Sequence, residues 1–405
     1  MASNELETFI SHLKAFLASP LSDDESFLKY LHEHPESDKE KSTELLGQLE
    51  QKWKGRKQVV GLVEGVFDVT HVGHFGALRQ AKKLVDKLIV LVNGDASTEA
   101  HKGPLVFNET ERMAMVKACR WVDEAYVTPE YLVPKDILEQ YGADYLLHGD
   151  DIIYGPNGDN IYSHWMEQNK FKMFRRTQGI STTDIVNRIL NIENDAFWIT
   201  DPFNLQASLK KKQIFNSVGR IESFRGGRGS SRPKGVVGFA PGSFDMLNFG
   251  HVRFLEMAKA QCDFLIVGLF EDKLIRQIRG KNFPIFSLNE RLLNVLAIRS
   301  VDDVAVNCPY KLTKPFLELF EIDVVFTGMV SSNQVNDPRI DEFEEIRPLG
   351  ILKVIDSGVA FTMSDFVQRV KSNQNKYELF TKKKLEKQEK YYETDAEKKD
   401  KPKEV

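Results

Sequence analysis

The chain has 405 residues, with 55 Lys and Arg against 59 Asp and Glu and a formal net charge of −4. That length exceeds one ordinary hydrophobic core and points to two or three compact units of a globular protein. So even a charge balance provides no global positive field, which excludes nucleic acid as the obvious partner and leaves any phosphate chemistry to local cations.

The opening MASNELETFISHLKAFL has no basic leader ahead of a long apolar core, and no window approaches a membrane span. Cys119, Cys262 and Cys308 are far apart and form no metal-type pair. A cytoplasmic protein without an integral membrane segment is the expectation. Residues 1–55 carry helical periodicity (Phe9, Leu13, Phe16, Leu17, then Phe27, Leu28, Leu31) and read as an appended helical extension. From Val59 onward strands alternate with amphipathic helices, the texture of a parallel sheet covered on both faces. QVVGLVEG, LIVLVNGD and DYLLHGDD read as strands, FGALRQAKKLVDK and ETERMAMVKACRW as helices, and STTDIVNRIL as a helix opened by Ser181 with Asp184 in a capping box.

The second half repeats the order with GVVGFAPG, HVRFLEMAKAQ, DFLIVGLFED, LNERLLNVLAIRS and IDVVFTG. His251 follows His74 by 177 residues, Arg291 follows Arg112 by 179, and Gly358 follows Gly179 by 179. The chain is therefore an internal duplication. The expected organisation is α/β, with two tandem doubly wound parallel-sheet domains over residues 56–195 and 235–380. A linker over 196–234, exposed at SFRGGRGSSRPKG, joins them, and a charge-dense tail covers 381–405 without the apolar face that membrane binding needs.

Doubly wound sheets bind ligands beyond the carboxyl ends of their strands, where backbone N–H groups and helix starts face the ligand. The turn after the first strand is GVFDVTHVGH (Gly65–His74), and GSFDMLNFGH (Gly242–His251) repeats it with Asn248 in the place of His71. Gly65, followed by Val66 and Phe67, lets the backbone approach a phosphate, and Gly73 lets the helix begin with no side chain in an anion's way. His71 and His74 flank Gly73. An imidazole or imidazolium donor aimed at a phosphate under attack stabilises the charge that builds on its oxygens.

FDVTHVGH together with FRRTQGISTTDIV resembles the cytidylyltransferase group of nucleotidyltransferases, whose paired signatures are HxGH and RTxGxSTxxI. The resemblance spans residues 58–380 and implies a Rossmann-like fold. It also implies transfer of a nucleotidyl group from a nucleoside triphosphate to a phosphorylated alcohol, with release of pyrophosphate. It makes His71, His74, Lys102 and Arg176 the catalytic set, with Lys102 reaching the α-phosphate of CTP from a mobile loop and Arg176 holding the leaving phosphates. It assigns Arg112, Arg120, Gly149, Asp151, Thr177, Ser181 and Thr182 to the nucleotide, Asp151 accepting the amino group of cytosine. Asp68 falls near the acceptor or a metal. Mg2+ is expected with the triphosphate, without an assigned protein ligand. The acceptor's phosphate oxygen is already a competent nucleophile, so positioning and charge neutralisation suffice.

Two tandem domains further resemble the branch of the group that uses CTP and phosphoethanolamine, making CDP-ethanolamine for phosphatidylethanolamine biosynthesis. A homodimer is compatible with the sequence, which leaves the oligomeric state open. Rival readings are the same transfer to phosphocholine or glycerol 3-phosphate, an adenylyltransferase sharing the histidine turn, and a catalytically silent nucleotide-binding regulator. In the second copy a constant spacing puts Ile355 at the position of Arg176 and Asp356 at that of Thr177, and TGMV replaces HGDD. The loop after Gly358 reads two residues longer, and either Arg279 or Lys281 answers to Lys102. An acid where a triphosphate should lie is unfavourable. The first domain is thus expected to catalyse, and the second to be a degenerate copy that packs against it, stabilises it or regulates it.

Overall fold

The computed structural model describes residues 57–132, 134–150, 160–177, 180–193, 218–225, 235–280, 282–329, 341–379 and 382. The expected N-terminal extension, most of the linker and the tail beyond Lys382 lie outside them. The first unit runs β1 (Val60–Gly65), α1 (Val72–Lys82), β2 (Lys87–Asn93), α2 (Asp95–Lys102), α3 (Glu109–Ala118), β3 (Glu124–Thr128), α4 (Ile137–Gln140), β4 (Tyr145–Gly149), α5 (Ser163–Glu167), β5 (Phe171–Phe174) and α6 (Thr182–Leu190). Helix α7 (Val218–Arg225) precedes the second unit. That unit runs β6 (Val237–Gly242), α8 (Phe249–Lys259), β7 (Phe264–Leu269), α9 (Asp272–Arg279), α10 (Leu288–Leu296), β8 (Asp303–Val306), α11 (Lys314–Leu319), β9 (Val324–Gly328), β10 (Leu352–Ile355) and α12 (Met363–Ser372).

Each unit is a five-stranded sheet, ordered β3-β2-β1-β4-β5 in the first and β10-β9-β6-β7-β8 in the second, which is the same order read from the other edge. All neighbouring strands pair in parallel. The central strands are nearly unbroken apolar runs because helices cover both faces: Leu62, Leu88, Val90, Leu91 and Val92 are fully buried. Strand order reverses between β1 and β4, the point at which sheets of this kind bind ligands beyond their carboxyl ends. The histidine turn follows β1 directly.

The two units share one core, in which Val72, Phe75, Phe107 and Ile185 of the first meet Phe254, Leu293 and Phe366 of the second. Helix α3 packs on α8, α10 on α1, and α6 on α12, so each contact has a counterpart related by an approximate two-fold axis. An antiparallel bridge between Cys119 and Ile298 marks that axis. Arg120 N donates to Ala297 O at 2.9 Å and Arg299 N donates to Ala118 O at 2.9 Å.

The start of the expected exposed linker is buried instead. Phe224 in α7 is fully buried, edge-on to Trp121 with ring centroids 5.1 Å apart, and Arg225 pairs with Asp303. The three cysteines are unpaired. Among the described residues no helix is long and apolar enough to cross a membrane.

Candidate active site

His71 is the N-cap of α1: its Nδ1 accepts from Gly73 N at 3.0 Å, while His71 N donates to His74 Nδ1 at 3.4 Å. A histidine pair thus forms the reciprocal capping box usually made by Ser and Glu. With Nδ1 of both rings accepting, the proton of each neutral ring sits on Nε2. Burial, followed by the charges of His74, Arg188 and Arg176, holds His71 well below the ordinary histidine range. Burial, then Lys102 and Arg176, brings His74 down to about 3. Both rings, 4.0 Å apart, are therefore neutral N–H donors at pH 7. His71 is 3% exposed, and its Nε2 has no hydrogen-bond partner among the described residues. A buried donor without an acceptor costs about 1–3 kcal/mol, and a ligand oxygen would relieve that cost.

The reason for Gly73 is more specific than an open approach for an anion. A Cβ there would lie 2.6 Å from His71 Cε1, so only glycine lets the His71 ring fold back over the helix start. The turn carries further strain at Phe67 (φ 53) and Val69 (φ 47), and Phe244 (φ 45) and Met246 (φ 51) repeat it in the second unit. A β-branched residue in the left-handed region is a genuine outlier, of the kind that persists where the surroundings over-determine it. The start of α6 lies against this turn: Thr182 Oγ1 donates to Asp68 O at 3.0 Å, and Ser181 caps the helix by accepting from Asp184 N. Gly149 ends β4, and the following Asp150 accepts from Arg176 N at 2.8 Å. Lys102 is the exposed last residue of α2, a helix rather than the expected loop, and its Nζ stands 5.9 Å from the centre of the Tyr131 ring. Lys102 and Arg176 are near enough for their charges to add to the effect of burial on His74.

Three expected contacts, those of Arg112, Arg120 and Asp68, are corrected. Arg112 is fully buried and donates to Val66 O (2.6 Å), Asn93 O (2.6 Å) and Phe107 O (3.1 Å) while pairing with Asp95 at 2.7 Å. It ties the turns of the site together and does not reach a nucleotide. Arg291 makes the matching bonds to Ser243, Phe270, Phe286 and Asp272, so both copies use this arginine to tie their turns together. Arg120 faces the second unit, donating to Ile298 O at 3.0 Å, Val301 O at 2.8 Å and Arg225 O at 2.8 Å. Asp68 is 5% exposed, and its carboxylate accepts from Val69 N, Val106 N and Phe107 N. Burial raises its pKa to about 6 against those bonds. It pins the chain after Lys102 and presents no free carboxylate to an acceptor or metal. Thr177, 7% exposed, takes a hydrogen bond from Arg220. Asp151 lies outside the described residues. Among the described residues no group of three or more His, Cys, Asp or Glu could hold a metal ion.

Hydrogen-bond register also corrects the alignment of the second unit. Gly149 pairs with Phe174, and Gly328 pairs with Ile355. Ile355 therefore matches Phe174, Asp356 matches Arg175 and Ser357 matches Arg176. The two extra residues lie before β10, not after Gly358. Helices α2 and α9 both have eight residues and end at Lys102 and Arg279, each followed by a glycine of positive φ, so Arg279 is the counterpart of Lys102. Asn248 keeps the cap by accepting from Gly250 N and His251 N, but its Nδ2 is spent on Met246 O at 3.1 Å. The architectural half of His71 survives there, while the imidazole Nε2–H is replaced by an amide that turns one proton inward. A cleft persists beside it, lined by Asn248, His251, Arg279, Glu342, Ser357 and Thr362.

Two groups escaped sequence reasoning. Arg369 pairs with Glu111 and Arg188 with Glu290 across the interface. The signal was available, since both pairs recur at matching positions of the duplication.

Residues 62–188 and 239–377 each match the cytidylyltransferase-like family. An ethanolamine-phosphate cytidylyltransferase of Dictyostelium discoideum is 34% identical over 343 residues, 81% of this chain and 95% of that one. One from Arabidopsis thaliana is 34% identical over 364 residues, 84% and 86% of the two chains. Choline-phosphate cytidylyltransferase A of Homo sapiens is 42% identical over 130 residues, only 31% of this chain and 35% of that one. With a copy of the domain in each half, the chain belongs to the cytidylyltransferase-like family.

Proposed function

We propose that this chain is a cytoplasmic enzyme that transfers CMP from CTP to phosphoethanolamine, giving CDP-ethanolamine and pyrophosphate for phosphatidylethanolamine synthesis. A phosphate oxygen of the acceptor attacks the α-phosphorus of CTP, and the bond to the β-phosphate breaks. The observation that carries the reading is the buried, unpartnered Nε2 of His71 beside His74, with Lys102 and Arg176 near enough to depress the His74 pKa. Two neutral donors and two cations suit a reaction whose demand is positioning and charge stabilisation. Lys102 serves the α-phosphate and Arg176 the departing pyrophosphate. Mg2+ enters bound to the phosphates of CTP.

Phosphoethanolamine is favoured over phosphocholine because relatives named for the ethanolamine reaction match through both units, whereas the choline-phosphate relative matches over one domain's length. Pyrophosphate release, followed with CTP or ATP against phosphoethanolamine, phosphocholine and glycerol 3-phosphate, tests this directly. CTP with phosphoethanolamine should be fastest. A faster second acceptor reassigns the substrate, and no release with any pair overturns catalysis.

A further inference from the structure

We infer that Arg369, in the second unit, is a positioning residue for the first unit's active site, a role that rests on the catalytic reading above. The chain from Gly103 to Asn108 joins the Lys102 end of α2 to α3, and it is held from two sides. From within, Asp68 accepts from Val106 N and Phe107 N, both at 2.9 Å. From across the interface, Arg369 on α12 donates to Val106 O at 3.3 Å and to both oxygens of Glu111 at 2.6 and 2.9 Å. One peptide segment is thus gripped at its N–H groups by the first unit and at a carbonyl by the second.

Phe107 completes the grip. Its ring meets Phe249, Phe361 and Phe366 of the second unit at 6.1, 5.7 and 5.2 Å, and Arg369 lies 4.5 Å over Phe361. Arg188 makes the reciprocal clamp on Ile285 O and Glu290, but the residues matching the three rings are Val72, Ile180 and Ile185. The aromatic side of the pseudo-symmetric interface therefore faces the segment next to Lys102. Tyr377, beyond α12, is partly buried against the same shared core. Catalysis depends on placement at the level of an ångström, so the second unit, through this grip, sets where Lys102 stands.

The test compares Arg369→Met, Arg369→Lys and Glu111→Gln with Glu290→Gln, which loosens the opposite clamp, all in the full chain. Arg369→Met and Glu111→Gln should lower kcat/KM for CTP by about tenfold to a hundredfold, with KM for phosphoethanolamine little changed. Arg369→Lys should recover part of the loss, and Glu290→Gln should stay within about twofold of the parent at a comparable drop in Tm. Amide hydrogen exchange reads the segment without turnover: Arg369→Met should speed it over residues 103–108 and Glu290→Gln over 280–287. Equal losses from both clamps, or none from Arg369→Met, would overturn the inference. So would unchanged exchange over 103–108, even if the parent proved inactive and the proposed reaction had to be abandoned. Should Arg369→Met fail to fold, Arg369→Lys and Glu111→Gln carry the same comparison.

Discussion

Replacing His71 with Asn asks the first unit to adopt a solution that the second already contains. Asn248 caps α8 as His71 caps α1, and its Nδ2 turns inward to Met246 O. In His71→Asn the matching inward acceptor is Val69 O, so the cap survives and the buried, unpartnered Nε2 disappears. With the cap kept, no capping energy of about 1 kcal/mol is lost, and removing an unsatisfied buried donor offsets the smaller side chain's poorer packing, so stability should stay within about 1 kcal/mol of the parent. His71→Ala also removes that donor but loses the cap and leaves a cavity where the ring packed, so it should melt lower. Turnover should behave differently, because both variants lack the donor aimed at the reacting phosphate. By comparison with single oxyanion-hole donors the loss should be about 10²- to 10³-fold, or about 2.7–4 kcal/mol of transition-state stabilisation. Thermal melts and pyrophosphate release from CTP and phosphoethanolamine measure the two quantities separately. Activity of His71→Asn within threefold of the parent would refute the donor role, and a melt as low as that of His71→Ala would refute the capping account.

Asp68, with its pKa raised to about 6, is ionised at pH 7 and takes a proton as pH falls through that value. The acceptor's phosphate loses its second charge in the same range, so log kcat/KM should fall with a slope of about two below pH 6, and about one in Asp68→Asn. Equal slopes would show that the carboxylate does not govern the segment it pins. Arg120→Met strips hydrogen bonds from three interface carbonyls and should cost about 2–4 kcal/mol of stability while leaving KM for CTP unchanged; a raised KM with an unaltered melt would return Arg120 to the nucleotide. His251→Ala should leave turnover within about twofold of the parent, whereas loss of pyrophosphate release there would transfer the chemistry to the second unit.

The sheets were legible because Leu62, Val63 and Leu88–Val92 form apolar runs that only a doubly covered strand explains, and because the duplication stated each element twice. The histidine turn was legible for the same reason, since His71, Gly73 and His74 are constrained by one local geometry. Tertiary roles were not. Arg112 and Arg120 look alike as cations on one helical stretch, and nothing local distinguishes a guanidinium buried under its own turns from one donating across an interface. Helix α2, DASTEAHK, carries too few apolar residues to show a period and so resembled a loop. The swap of Ile355 for Ser357 at the Arg176 position arose from assuming constant spacing, which strand register corrects. Phe224 was concealed by the glycines, serines and arginines around it.

The bridge between Cys119 and Ile298 has a thermodynamic consequence. Two separate copies joined this way would dissociate on dilution, and their apparent stability would rise with concentration. Covalent continuity makes the association unimolecular, so the fraction of properly mated halves is the same in a scarce protein as in an abundant one. Neither half is then ever exchanged between molecules, and each chain keeps the partner unit that it folded against.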